Sequence, residues 1–202
     1  MSASDQPTLA GTFVRLEPLT ETHTAAIAKA VEAVERSTFD WAPVPSTTEG
    51  AESIVTERLG LAARGAWMPY VQIRVADDEL VGMTNLLNVE RWNGPNTAPT
   101  SVEIGGTWLV PSAQRTPINS EAKRLLLTHA FEVWKVVRVQ IKTDARNERS
   151  RAAILRLGAT FEGVLRNYQP GQGDVGAGSP RDTAMFSITN AEWPEVKQRL
   201  KR

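Results

Sequence analysis

Residues 101–124 read SVEIGGTWLVPSAQRTPINSEAKR, and this stretch decides the fold. Its first ten residues alternate and predict a strand, in which Gly105 and Gly106 indicate a bulge or the close approach of a backbone or ligand. After a short loop, Thr116 is a good helix cap, and proline follows where proline is favoured, at the first helical position. The pattern therefore predicts a strand, a loop and a helix over 117–134.

The remaining segments extend this unit into a mixed α/β sheet. Strands are predicted over 12–18, 70–75, 80–89, 136–143, 160–168 and 183–188, and helices from Thr20, from Thr47 or Thr48 to near Gly65, over 147–157 and over 192–200. Helices alternate with strands in the second half, which is typical of a sheet containing parallel strands.

The composition excludes several classes of protein. The 202 residues include 23 basic and 23 acidic side chains, two histidines and no cysteine. A disulfide framework, a zinc finger and a thiol nucleophile are excluded, and the distant histidines give no metal site. A net charge of zero argues against a nucleic-acid-binding protein.

The charge is unevenly distributed. Residues 1–114 hold 7 basic and 14 acidic side chains, whereas residues 115–156 hold 10 basic and 4 acidic ones. We therefore expect an anionic ligand near the middle of the chain.

No segment indicates export or insertion into a membrane. The N-terminal residues MSASDQPTLAG contain an acidic residue and no apolar core, and no apolar run reaches the ~20 residues of a membrane helix. We expect a cytoplasmic protein without a membrane partner.

The start of the helix at 117 is the strongest candidate for the anion site. The backbone N–H groups of Ile118, Asn119 and Ser120 have no partner in the first helical turn, and Arg115 adds positive charge. The alternative is a well-capped core helix without a ligand.

Three further features are ambiguous or misleading. Asn147 at a helix N-cap, followed by Glu148 in the first turn, is ordinary helix-capping chemistry, and Glu103 either faces water or lines a cleft. The residues of 171–176 match G-x-G-x-x-G, but a strand follows them where a dinucleotide site needs a helix.

In its motifs the chain resembles the GCN5-related N-acetyltransferase (GNAT) superfamily, and more closely its ribosomal-protein alanine N-acetyltransferase-like (RimJ/RimL-type) branch. The segments that carry the resemblance are VRLEPL (14–19), VEIG (102–105), NSEAK (119–123), NERS (147–150), LGA (157–159) and FEGVLR (161–166). They occur in the same order over nearly the whole chain.

The resemblance implies one acyltransferase domain over 1–202, with a core of about 9–190 and a short C-terminal helix over 192–200. It implies a twisted mixed sheet of six to seven strands, splayed between the parallel strands 101–110 and 136–143. A coenzyme A ester is expected in the splay. The residues implied to bind it are Trp108, Leu109, Val110, Gln114, Arg115, Thr116, Ile118, Asn119, Ser120 and Asn147.

The chain departs from the family pattern at two points. The family's phosphate loop reads Q/R-x-x-G-x-G/A, but Pro117 and Asn119 replace its glycines. Proline supplies no N–H, so side chains would have to replace a donor. The tyrosine that many members use as the general acid is Ile154 here, and the resemblance assigns that role to Ser150.

By this resemblance, the expected reaction is direct transfer of an acetyl group from acetyl-CoA to a primary amine, without a metal. Glu103 would act as the base, through a water, and Ser150 as the acid. A protein N-terminus or lysine side chain is the favoured acceptor, and the acidic excess of 1–114 favours a basic guest. A small-molecule amine acetyl- or succinyltransferase and a non-catalytic acyl-CoA sensor are the alternatives, and a homodimer is compatible with the resemblance.

Overall fold

A mixed sheet of eight strands organises the computed structural model, which describes residues 6–32, 34–95 and 97–200. The strands are β1 (Leu9–Ala10), β2 (Val14–Pro18), β3 (Trp67–Arg74), β4 (Leu80–Glu90), β5 (Ser101–Leu109), β6 (Arg138–Asp144), β7 (Thr160–Pro170) and β8 (Pro180–Thr189). The helices are α1 (Thr24–Glu32), α2 (Thr48–Ala63), α3 (Pro117–Thr128), α4 (Glu148–Arg156), α5 (Gly173–Gly176) and α6 (Trp193–Arg199).

The order of strands across the sheet is β1-β2-β3-β4-β5-β6-β8-β7, and among these neighbours only β5 and β6 are parallel. The predicted mixed α/β sheet is therefore confirmed. The predicted count of six to seven strands is too low by one. The additional strand, β1, has two residues that pair with Leu16 and Arg15, so it is too short to show an alternating pattern.

The helix predicted over 117–134 is shorter as an α-helix. It ends at Thr128 and continues as a π-helical turn over His129–Val133. His129 is buried in this turn, with its ring 5.0 Å from that of Trp134 in an edge arrangement. This histidine is therefore a packed residue of the helix end.

Glu121 fixes α3 to the edge of the sheet. Its carboxylate accepts hydrogen bonds from the backbone N–H groups of Thr12, Phe13 and Val14, at 2.9, 2.6 and 3.0 Å. Burial alone would raise the pKa of Glu121, but these three amides, together with the guanidinium of Arg124, outweigh it, and the pKa lies below its ordinary value. The charged side chain therefore holds α3 in place relative to β2.

Two segments that are far apart in the sequence, near residues 36–40 and 174–175, contact each other directly. The backbone N–H of Val175 donates to the carbonyl of Asp40 at 3.2 Å, and Arg36 lies 3.5 Å from the carboxylate of Asp174. These contacts join the 3₁₀ turn at Arg36–Phe39 to α5.

No helix of the described residues is long and apolar enough to cross a membrane.

Candidate active site

A cavity opens where the two parallel strands separate. β5 and β6 pair only from Ser101↔Arg138 to Ile104↔Ile141, although both strands continue beyond this point. β5 then bulges at Gly106, which has a φ of +57°; a Cβ there would meet the amide of Asn85 at 2.5 Å. The divergence leaves a cavity of about 640 Å³ and corresponds to the splay predicted between 101–110 and 136–143.

Most of the predicted site residues line this cavity. They are Trp108, Leu109, Gln114, Arg115, Thr116, Asn119, Ser120, Asn147 and Ser150. Val110 and Ile118 do not line it, because their side chains are buried in the apolar core and the N–H of Val110 is bonded to β4. Glu103 is also absent from the lining, although its neighbours Ile104 and Gly105 belong to it.

The loop before α3 is held in a definite shape. Gln114 donates from Nε2 to the carbonyl of Leu109 at 2.9 Å, and Arg149 of α4 reaches its Oε1 at 3.3 Å. Thr116 caps the helix by accepting the N–H of Ile118 at 3.3 Å. The loop is therefore fixed to both walls of the cavity.

The start of α3 presents side chains to the cavity in place of the missing proline N–H. Asn119 and Ser120 both line the cavity, and Asn119 Oδ1 is buried without a hydrogen-bond partner among the described residues. Trp108 Nε1, on the facing strand, is buried and unpartnered in the same way. Buried polar atoms without partners are rare in folded proteins, so both fit a polar ligand at this end of the cavity.

The start of α4 forms the opposite wall. Asn147 caps the helix through its Oδ1, which accepts the N–H of Ser150 at 2.9 Å, and its amide nitrogen remains available as a donor. The Ser150 hydroxyl makes no hydrogen bond to another described residue. Ile154, one turn further, is buried and lines the cavity.

Glu103 is buried and bound through one of its two oxygens. Oε2 lies 2.9 Å from Lys142 Nζ, and it accepts from Asn88 Nδ2 at 2.8 Å and from Gln140 Nε2 at 3.3 Å. Oε1 has no hydrogen bond to a described residue and lies beside Gly105, where an added Cβ would be 3.0 Å from it. The free oxygen is therefore next to a residue of the cavity wall.

The three donors to Glu103 were not found from the sequence. Asn88, Gln140 and Lys142 come from three separate strand positions, and their spacing along the chain carries no motif. Lys123, the last residue of the NSEAK segment that carries the resemblance, is a buried cation of the wall. Its Nζ donates to Thr107 Oγ1 at 2.5 Å and Thr84 Oγ1 at 3.1 Å, and burial lowers its pKa to about 7.

The cavity walls are basic. Among the described residues, the lining includes six basic side chains and no acidic one: Arg115, Lys123, Lys142, Arg149, Arg156 and Arg181. This charge agrees with the anionic ligand expected from the basic excess of 115–156. The acidic residues of 1–114, from which a basic guest was expected, do not line the cavity.

Comparison with known proteins identifies the family. Bacillus subtilis (strain 168) YdaF, which is named provisionally as a ribosomal N-acetyltransferase, is 32% identical over 121 residues, or 60% of each chain. The chain thus spans 60% of the length of this curated relative. A GCN5-related N-acetyltransferase from Brucella melitensis superposes with a TM-score of 0.84 at 27% identity, covering 98% of this chain and 85% of that one.

A second solved structure contains a ligand. Mycobacterium smegmatis RimJ, in complex with CoA-disulfide, has a TM-score of 0.76 at 26% identity, with 96% of this chain and 90% of that chain covered. The sequence model of a protein family, described as the acetyltransferase (GNAT) domain, matches residues 14–160 of this chain. The chain therefore belongs to the GNAT acetyltransferase family.

Proposed function

We propose that this chain is one acyltransferase domain that moves an acetyl group from acetyl-CoA to a primary amine, in the manner of the RimJ/RimL-type enzymes. The observation that carries the proposal is the cavity between β5 and β6, which connects the start of α3 with the side of Glu103. Its favoured acceptor is a protein N-terminus or a lysine side chain. The name of YdaF and the presence of CoA in the RimJ structure support this choice.

The cofactor end of the cavity is proposed to hold coenzyme A through named groups. Leu109 lies beyond the last β5–β6 pair, and because the neighbouring Val110 N–H is bonded to β4, the N–H of Leu109 points away from β4 and can bond an amide-containing arm. Its carbonyl already accepts from Gln114. The phosphates would be held by the side chains of Asn119 and Ser120 with the guanidinium of Arg115, and Asn147 would donate its amide. When bound, acetyl-CoA supplies an acetyl group activated as a thioester.

The proton transfers are proposed for Glu103 and Ser150. An attacking amine must lose a proton, and Glu103 Oε1 is the oxygen left free to accept it, through a water beside Gly105. The thiolate that leaves must gain a proton, and the Ser150 hydroxyl is an unengaged donor on the opposite wall. The three donors on Oε2 hold the carboxylate in this orientation.

The experiment measures acetyl-CoA consumption with a panel of peptide and small-molecule amines, for the wild type, Glu103→Gln and Ser150→Ala. We expect each substitution to lower kcat at least about tenfold, which corresponds to ~1.4 kcal/mol of barrier, with little change in the Kd of CoA. The matched control is Glu52→Gln, an exposed position on α2. A wild type that binds CoA but acetylates no amine would contradict the proposal and favour the sensor.

A further inference from the structure

Arg181 is a buried cation in the cavity wall that the proposed chemistry leaves unused. Arg181 is only 5% exposed, and it lies on β8 in the lining of the cavity. Nε donates to Thr183 Oγ1 at 3.1 Å, whereas its Nη atoms have no hydrogen-bond partner and no ion pair among the described residues. A buried guanidinium without an anion is costly, so this side chain indicates a missing anionic partner.

Asp144 and Glu103, the two carboxylates whose charges act on Arg181, are already engaged. Asp144 accepts the backbone N–H and the guanidinium of Arg146, and Glu103 holds Lys142 with two amides. Burial lowers the pKa of the Arg181 guanidinium, and the charges of the two carboxylates oppose that shift. Neither carboxylate makes a hydrogen bond or an ion pair with Arg181. Neither therefore replaces a directly bound anion.

The register of the strands places Arg181 on the face of the sheet that carries Glu103. Glu103 of β5 pairs with Gln140 of β6, so these side chains share one face. On β6, Lys142 and Asp144 follow at steps of two and share that face. Asp144 in turn pairs with Thr183 of β8, two residues after Arg181. Because side chains alternate along a strand, Arg181 projects from the same face.

The helix start proposed to hold phosphate lies on the other face. Leu87 of β4 pairs with Glu103, so the two side chains lie on the same face of the sheet. Thr84 lies three residues before Leu87 on β4, and it accepts a hydrogen bond from Lys123 of α3. Because side chains alternate along a strand, residues three apart project from opposite faces, so Thr84 and the α3 helix that contacts it lie on the face opposite to Glu103. Arg181 is therefore separated from the phosphate-binding end and lies on the side of the proposed base.

We propose that the acceptor carries a carboxylate close to its primary amine, and that Arg181 binds this carboxylate while Glu103 receives the proton of the amine. This inference rests on the proposed function. The planar fork of a guanidinium matches a carboxylate through two parallel hydrogen bonds, which a lysine cannot provide. Free amino acids and peptides that begin with an acidic residue share this chemistry. Trp41 and Gln172, from two loops, line the same cavity as Arg181.

The test compares amines in matched pairs. One arm uses alanine and alaninamide, with rates corrected to the unprotonated amine; the other uses amidated peptides that begin with Asp or with Asn. We expect the carboxylate member of at least one arm to have a kcat/KM at least about tenfold higher, since a charged hydrogen-bonded pair is worth that much. The arm that shows the preference identifies the source of the carboxylate. Equal rates within both arms would overturn the inference.

The variants locate the preference. Arg181→Gln is expected to raise KM for the carboxylate amine at least about tenfold and to leave KM for acetyl-CoA unchanged, whereas Arg181→Lys recovers part of the loss. Exposed Arg64→Gln is the matched control. An increase in KM for acetyl-CoA instead would assign Arg181 to the cofactor and contradict the inference. Circular dichroism confirms that each variant is folded.

A direct binding measurement separates this inference from the proposed function. Calorimetry with CoA present compares aspartate with its diamide on the wild type and Arg181→Gln. Selective binding of aspartate that is lost in Arg181→Gln supports the carboxylate site even if no amine is acetylated. Turnover of neutral amines without any selectivity retains the enzyme and rejects the site.

Discussion

The buried Glu103 and the partly buried Lys142 form an ion pair across the two parallel strands, with 2.9 Å between Oε2 and Nζ. The pair lies one residue from Ile104 and Ile141, the last residues at which β5 and β6 are paired. It therefore clamps the strands at the point where they begin to separate, while the second oxygen of the carboxylate remains free.

This geometry predicts strong coupling between the two side chains. Lys142→Met leaves a buried carboxylate without its cation and is expected to lower the free energy of unfolding by about 3 kcal/mol. Adding Glu103→Gln removes the unpaired charge, so the double variant should lose less than the sum of the single ones. Urea denaturation at pH 7 measures the three values, and strictly additive losses would contradict the coupling.

Gly105 is predicted to be required for the free oxygen of Glu103. The added methyl group of Gly105→Ala would lie 3.0 Å from Oε1 and 3.1 Å from Leu87 Cδ2, so the carboxylate must shift. We expect kcat to fall about tenfold or more, while the Kd of CoA changes less than about twofold. Gly60→Ala on α2 is the control, because its methyl group would lie no closer than 3.7 Å to Arg64. Full activity in Gly105→Ala would show that Oε1 does not act on the amine.

Asn119 is predicted to act in binding and not in stability. Its buried Oδ1 has no partner among the described residues, so Asn119→Ala should leave the free energy of unfolding within about 1 kcal/mol of the wild type. The Kd of CoA is expected to rise about tenfold through the loss of a hydrogen bond that Nδ2 donates to phosphate and of one that Oδ1 accepts from a donor group of the coenzyme. Titration calorimetry measures the Kd of CoA for the wild type, for Asn119→Ala and for the control Asn190→Ala, which changes an exposed residue. Urea denaturation measures their free energies of unfolding. An unchanged Kd would remove Asn119 from the cofactor site.

Lys123 predicts a dependence of stability on pH with a defined sign. Burial lowers its pKa in the folded protein to about 7, whereas the unfolded chain keeps the ordinary value near 10.4. Between these values the unfolded chain binds more protons, so this group makes the protein more stable as the pH rises. Lys123→Met removes the titrating group and fills the same volume.

The measurement is the difference in free energy of unfolding between Lys123→Met and the wild type from pH 6 to 10. We expect the variant to gain most at the acidic end and the difference to shrink as the pH rises. A difference that stays constant over this range would show that Lys123 keeps an ordinary pKa. Exposed Lys29→Met controls for the general effect of losing a positive charge.

The local elements of the fold could be predicted because each has its own sequence signal. The strand predicted over 101–110 ends one residue earlier in the structure, and Thr47 and Thr116 cap their helices. The predicted splay, in contrast, came from the resemblance. Periodicity describes one strand at a time and does not show where two parallel strands lose their pairing.

The environment of the candidate base could not be predicted for a similar reason. Its three donors are brought together by the register of β4, β5 and β6, which a single sequence does not encode locally. Arg181 was missed because it follows a segment rich in glycine, which predicts a loop, whereas the structure extends β8 back to Pro180. Hydrogen bonding to its neighbours overrides that local preference.

The short ladder between β5 and β6 divides the sheet into two mechanical units, one of five strands and one of three, joined by four residue pairs. A molecule bound in the gap between β5 and β6 contacts both units. Local unfolding of either unit then has to break these contacts, so binding stabilises both units against local unfolding. Occupancy of the cavity should therefore appear in hydrogen exchange as slower opening of residues 142–144, far more than in the outer strands β1 and β2.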